Sequence, residues 1–339
     1  MIRVPVALVD SSTTVRAVLR RMLSARTDLM IVDEYASMDQ LWERPDGIRG
    51  GVVVVGTAVD DVGVIEREAE RLQLTLDADL VVLSSVIAEG VDWHPSLGTV
   101  LTKPRVPEGW ETLRDELPEL VSALGRRRVI QRSSADSHSA PRIDLRPPSV
   151  IVVGASTGGP QALHEFVAHL GEPLSAVPML VVQHIAPGFE RGLVEWLRRD
   201  LGVDACVAGD DEPIRRGRIH VAPSGRHLEL ASRHRLALDA VSPPRRGHRP
   251  SVDHLFASAA EHFREGCAAV LLSGMGRDGA DGIAAVHRAG GSTFAQDEQS
   301  CSVFGMPASA ISEGTVGLVA APAGLGRALG AALRDGGTT

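Results

Sequence analysis

The sequence predicts an α/β protein made of two doubly wound parallel-sheet domains joined by a linker, and three observations predict it. Short runs of Val, Ile, Leu and Ala recur along the chain, separated by stretches of helical apolar spacing. That alternation is expected of parallel strands covered on both faces. Hydrophobic residues make up 44% of the chain but aromatics only 3%, so aliphatic side chains must fill the core. The 339 residues exceed what one domain ordinarily uses, and a polar segment divides the apolar runs into two groups. The predicted domains are 1–125 and 147–339, with the linker over 126–146.

Composition narrows the class further. The lack of any run of eighteen apolar residues argues against a membrane span, and the N-terminus shows no signal-peptide pattern. Cys206, Cys267 and Cys301 are an odd number at wide spacing, which makes neither a disulfide framework nor a zinc pattern and favours a reducing cytosol. A cytoplasmic protein is expected. The net charge of −8 argues against nucleic acid as a partner. Lys103 is the only lysine.

In the first domain, 4–9 is an apolar strand ending at Asp10. Ser11 or Ser12 can cap a helix whose apolar stripe is Val15, Val18, Leu19, Met22 and Leu23. Strands are expected at 31–32, at 52–55 before Gly56, at 80–83 before Ser84, and at 100–101 before Thr102-Lys103-Pro104. Helical spacing falls at 63–74 and 110–124. Five strands alternating with helices predict a doubly wound sheet.

This half resembles the receiver domain of two-component response regulators, a flavodoxin-like fold. The resemblance implies two adjacent acidic residues after the first strand, where the chain has Asp10 and Ser11. It implies a phospho-accepting aspartate after the third strand, where the chain has Gly56. The hydroxyl after the fourth strand is present as Ser84 and the lysine before proline as Lys103. Phosphoryl acceptance needs a carboxylate nucleophile and a magnesium ion held by several carboxylates. Glycine supplies neither, and Asp60 and Asp61 come four and five residues too late. The expectation is a pseudo-receiver with no phospho-acceptor, in which Asp10, Ser84 and Lys103 are remnants. A chemosensory histidine kinase or another signalling partner is the expected ligand of this domain. The linker is rich in arginine, serine and proline, a composition that cannot bury a core.

The second domain opens on Ser149-Val150-Ile151-Val152-Val153-Gly154-Ala155-Ser156-Thr157-Gly158-Gly159-Pro160. Four apolar residues in a row suit a buried strand, the glycines permit a sharp turn, and Pro160 fits the first turn of a helix that continues over 161–170. Ser156 then stands at the carboxyl end of a strand, where open α/β sheets place their chemistry. Its Gly-x-Ser-x-Gly spacing is that of a turn presenting a nucleophilic hydroxyl. A second buried strand, 179–182, ends at Gln183-His184, and a helix follows with Phe189, Leu193, Trp196 and Leu197 on one face. The alternating runs 218–221, 227–230 and 235–238 predict small antiparallel strands. Next come a helix over 251–263 and a strand over 268–272 that ends in Ser273-Gly274-Met275-Gly276-Arg277-Asp278-Gly279. A helix through Ile283 and Val286, strands at 292–295 and 316–319, and a helix over 325–333 complete the domain.

Ser156, His184 and Asp278 each follow a buried strand at its carboxyl end, and such ends converge on one edge of a parallel sheet. Serine at neutral pH needs an imidazole to take its proton, and the imidazole needs a carboxylate to hold its tautomer and stabilise its cation. The tetrahedral oxyanion needs N–H donors. The Gly274-Met275-Gly276 turn offers the Met275 amide, and Thr157 offers its hydroxyl. Taken singly, Ser156 and Asp278 read as helix caps and His184 as a satisfied polar residue. Three complementary types at three strand ends read as a catalytic set.

This half is similar to the catalytic domain of the chemotaxis protein-glutamate methylesterases. The stretches that carry the similarity run from Gly154 to Pro160, Gln183 to Phe189, Val221 to Leu228, Arg249 to Ala260, Leu272 to Ala280 and Phe304 to Pro307. The resemblance implies Ser156 as nucleophile, His184 as general base and acid, and Asp278 as orienting carboxylate. It implies hydrolysis of glutamate γ-methyl esters, and deamidation of glutamines, on the cytoplasmic helices of methylated chemoreceptors. No metal and no organic cofactor is implied. The rival readings are a nucleotide-binding turn, an esterase-like module of a chemosensory system unrelated to swimming, and a non-catalytic scaffold. The first lacks the second fingerprint glycine, whose place is Ser156, and lacks a Gly-Lys-Ser/Thr sequence.

Overall fold

The computed structural model describes residues 3–45, 47–57, 62–76, 78–84, 99–104, 110, 113–114, 117–122, 124 and 146–335. The chain packs as two compact units, Met1–Asp136 and Ser137–Thr339. Asp60, Asp61 and all of the expected linker except Arg146 lie outside the described residues.

The first unit holds one parallel sheet in the order β2 (Leu29–Tyr35), β1 (Val4–Val9), β3 (Val52–Thr57), β4 (Asp79–Ser84) and β5 (Thr99–Thr102). Helices α1 (Thr13–Leu23), α2 (Met38–Glu43) and α3 (Val62–Leu76), with a helical stretch over 117–122 (α4), alternate with the strands. Ser12 caps α1, its Oγ accepting from the Val15 N–H. Val6, Val53, Val54 and Leu83 are fully buried, as central strands of a doubly covered sheet require.

The second unit has a seven-stranded sheet in the order β14 (Leu318–Ala320), β13 (Ser292–Gln296), β12 (Cys267–Leu271), β6 (Val150–Ala155), β7 (Met179–Gln183), β9 (Arg218–Val221) and β8 (Asp204–Val207). Every pairing in it is parallel. An antiparallel hairpin, β10 (His227–Ser232) with β11 (Arg235–Asp239), stands apart. The hairpin agrees with the sequence reading, but 218–221 does not belong to it. That run is β9, inserted in parallel between β7 and β8. A four-residue alternation sets which face is buried and is silent on the direction of its partner.

Alternation along β6 divides the core. Ile151 and Val153 face a layer of α5 (Gly159–Leu170), α6 (Phe189–Leu201) and α10 (Pro322–Asp335), where Phe166, Leu197 and Leu325 pack. Val150 and Val152 face α7 (Val252–Phe263), α8 (Ala280–Arg288), α9 (Met306–Ser312) and the hairpin, where Phe256, Ile283 and Leu228 pack. From β6 the chain goes to β7 on one side and later returns to β12 on the other. The carboxyl end of β6 is therefore a topological switch point, where the loops part and leave a crevice. Among the described residues no helix is long and apolar enough to cross a membrane.

Candidate active site

The turn after β6 is tightly built. Gly158 has φ +74°, and a Cβ there would lie 2.4 Å from the Ser302 side chain, so both backbone and space demand glycine. Pro160 sits in the first turn of α5. The Ser156 N–H donates to the Ser273 carbonyl at 3.0 Å, and the Ser156 carbonyl accepts from the Gly159 N–H at 2.8 Å. Gln183, buried at the end of β7, donates from Nε2 to the carbonyls of Ser156 at 2.7 Å and of His184 at 2.9 Å. One side-chain amide thus ties the backbones of the two residues together.

His184 and Asp278 meet. Nε2 of His184 lies 2.9 Å from Oδ2 of Asp278, and the two side chains are 9% and 1% exposed. The other ring nitrogen, Nδ1, is buried with no partner among the described residues. It is the ring nitrogen that remains open. The bond to Ser156 Oγ is not formed in this structure, as is common before substrate binds.

Asp278 is held by α7. Its Oδ1 accepts from the Ser251 hydroxyl at 2.8 Å and the Asp253 N–H at 3.0 Å, and its Oδ2 accepts from the Val252 N–H at 2.8 Å. The two N–H groups are orphan donors of a helix N-terminus, a natural anion site. Burial pushes the Asp278 pKa up, but the His184 hydrogen bond and charge and the backbone donors outweigh it and hold the carboxyl below the usual carboxylate range. The expected cap of α8 is instead Asp253, whose Oδ1 accepts from the N–H groups of Gly279 and Gly282 at 2.8 Å each. Burial and the neighbouring carboxylates raise the Asp253 pKa. Each aspartate caps the other's helix.

The Gly274-Met275-Gly276 turn abuts Ser156. A Cβ on Gly274 would lie 2.8 Å from Ser156 Cβ and 2.3 Å from Met306 Sδ. The Gly274 carbonyl accepts from the N–H groups of Gly305 at 3.0 Å and Met306 at 2.8 Å, which fixes the turn. The Thr157 carbonyl accepts from Ser273 Oγ at 2.7 Å. Met275 and Thr157 thus stand beside Ser156.

Over residues 151–329 the chain matches the family described as CheB methylesterase. The chain belongs to that family. It is 35% identical over 339 residues to protein-glutamate methylesterase/protein-glutamine glutaminase 1 of Myxococcus xanthus (strain DK1622), across 98% of this chain and 97% of that one. It is 37% identical over 342 residues to the protein of that name numbered 3 in Anaeromyxobacter dehalogenans (strain 2CP-C), across 95% and 96%. The crystal structure of the Thermotoga maritima CheB methylesterase catalytic domain is similar at a TM-score of 0.52 and 34% identity, covering 54% of this chain and 98% of that one.

One further ring in this CheB-family site had no signal in the sequence. His248 stacks on His184 with centroids 3.9 Å apart and planes 5° from parallel. Burial first, then the neighbouring His184, brings the His248 pKa down to about 4, so it is neutral at pH 7. Histidine count and spacing could not single it out, because the stack is made by the loop before α7. Ser251 and Asp253 carried a readable signal, the Ser-x-Asp pattern of a helix start.

In the first unit of this CheB-family chain the remnant residues also meet. Lys103 Nζ lies 2.6 Å from Oδ2 of the buried Asp10, whose Oδ1 accepts from the Ser12 N–H at 2.8 Å. A Cβ on Gly56 would lie 1.9 Å from Asp10 Oδ2 and 3.3 Å from Lys103 Nζ. The space beside Gly56 is filled by the ion pair. Ser84 is buried, and its carbonyl accepts from the Lys103 N–H at 2.8 Å.

Proposed function

We propose that this chain is a protein-glutamate methylesterase that works through an acyl-enzyme on Ser156. The observation that carries the reading is His184, engaged by Asp278 through Nε2 and left with a buried, unpartnered Nδ1. Ser156 Oγ attacks the γ-ester carbonyl and its proton passes to Nδ1. Asp278, kept ionised by His184 and by the α7 N-terminus, stabilises the imidazolium. The tetrahedral oxyanion is met by the Met275 amide, with Thr157 in support. Collapse breaks the C–O bond, and His184 returns the proton so that methanol leaves. Water then attacks the glutamyl ester with His184 again as base, releasing glutamate and free serine. A glutamine side chain enters the same cycle with ammonia as leaving group, which is the second activity in the relatives' names.

The substrates in this reading are methylated chemoreceptors, and the place of action is the cytoplasm. The N-terminal unit receives a signalling partner such as a histidine kinase, but phosphorylation control is lost because Gly56 stands at the acceptor position. The test is methanol release from methylated receptor membranes. Ser156→Ala should lower it by about 10⁶-fold, the scale on which a lost nucleophile is felt. An unchanged rate would sink the enzymatic reading.

A further inference from the structure

Cys206, Glu212 and His220 lie outside the site above, at the edge of the seven-stranded sheet. We propose that they bind a divalent cation of the zinc class. Cys206 on β8 and His220 on β9 are register partners across adjacent parallel strands, so backbone sets the two side chains side by side. Cys206 Sγ lies 3.6 Å from His220 Nδ1 and 3.6 Å from Glu212 Oε1, and Nδ1 lies 3.5 Å from Oε1. These three near-equal separations match one face of a tetrahedron. Bonds of about 2.3 Å to sulfur and about 2.0–2.2 Å to nitrogen and oxygen put ligand atoms roughly 3.3–3.8 Å apart. A cation at the common centre would take solvent as its fourth ligand. Thiolate with imidazole and carboxylate suits zinc or cobalt, and not magnesium or calcium, which take oxygen.

The surroundings support the site. Glu212 Oε2 accepts from the Gly209 N–H at 2.8 Å, which turns Oε1 toward the other two ligands. Arg218 is 3.7 Å from Oε1, but its charge is already met by Asp204 at 2.7 Å. His220 is fully buried, which fixes its ring against Cys206 and Glu212. Binding displaces the Cys206 Sγ proton to solvent, and the thiolate with Glu212 balances the two positive charges. The His220 ring proton moves from Nδ1 to Nε2, which now accepts from the Arg215 N–H at a long 3.5 Å. Binding through Nδ1 therefore gives up the weak Arg215 contact. Cysteine spacing hid this site because strand pairing, not a short Cys-x-x-Cys segment, brings the ligands together.

Full-length protein stripped with a chelator and titrated with Co²⁺ should develop a thiolate-to-cobalt charge-transfer band that saturates at one equivalent. Zn²⁺ should erase the band and raise the melting temperature. Cys267 and Cys301 are buried, so the band reads Cys206, and Cys206→Ser should remove it. Losing a ligand should cost at least as much as losing a supporting partner, so His220→Gln should weaken binding by more than about 100-fold. Should His220→Gln disturb folding, Glu212→Gln keeps an acceptor for Gly209 and should still weaken binding at least about 10-fold with an unchanged far-ultraviolet spectrum. No band in the wild type, or a band that survives Cys206→Ser, would overturn the proposal.

Discussion

At the scale of single residues, the site turns on one imidazole held from two directions. Asp278 fixes the His184 ring in its plane through Nε2, and His248 covers its face. A ring stack of this kind is worth about 0.5–1.5 kcal/mol beyond its buried area. If it steadies the ring during proton transfer, His248→Ala should lower kcat about 2- to 10-fold with little change in KM. His248→Phe, which keeps a flat face, should recover most of that loss. The same ring makes a pH prediction. Its folded pKa is near 4 against an ordinary 6.5, so between those values the unfolded chain binds more protons. Stability should fall as pH drops through that window, and His248→Phe should flatten the fall in urea midpoints. The positions of Ser156 and His184 were legible because each directly follows a strand whose apolar run is unmistakable, whereas Asp278 lies in the loop between β12 and α8. His248 was not legible, since a stack is a tertiary fact.

At the scale of elements, two helices hold each other's first turns. The N-terminus of α7 grips Asp278 and the N-terminus of α8 grips Asp253. Neither carboxylate can move without freeing backbone donors. The packing of α7 on α8 is therefore part of how the Asp278 carboxylate is aimed at His184. The loop after β12 is equally confined. Gly274→Ala would drive a Cβ into Ser156 Cβ and Met306 Sδ. The overpacking should cost about 1–3 kcal/mol of stability. The displaced serine should lose about 100-fold in rate, the scale of a 1 Å misplacement. Thermal melting and methanol release would separate the two effects, and an unchanged rate would mean that the turn does not aim Ser156. The strand-turn-helix from Val150 to Leu170 was legible down to Pro160, because local sterics dictate it. Strand β8 was not, being four residues long, opened by Asp204, and dependent on β9 for its one pairing among the described residues. Helices α2 and α9 escaped notice for the same reason: six and seven residues make too few turns for an apolar stripe to show.

At the scale of the whole molecule, the two units share one architecture and keep different chemistry. Both place polar residues at the carboxyl ends of parallel strands, but in the first unit the ends are closed by the Asp10–Lys103 pair beside Gly56. A small phosphodonor with magnesium should therefore leave the intact mass of the full-length protein unchanged and its methanol release unaltered. A mass gain of one phosphoryl group, mapped to Asp60 or Asp61, would contradict this. The division into two α/β halves was legible in composition and in the rhythm of apolar runs. The ion pair was not, because it joins the residue after β1 to the residue after β5 across the ends of β3 and β4. That pair has a practical side. Lys103 is the single lysine in the sequence, so it supplies the one side-chain primary amine there. Amine-directed acylation of the native protein thus becomes a clock for one event. Its rate measures how often the Asp10–Lys103 contact opens, and a partner that loosens or tightens the N-terminal unit would announce itself as a change in that rate.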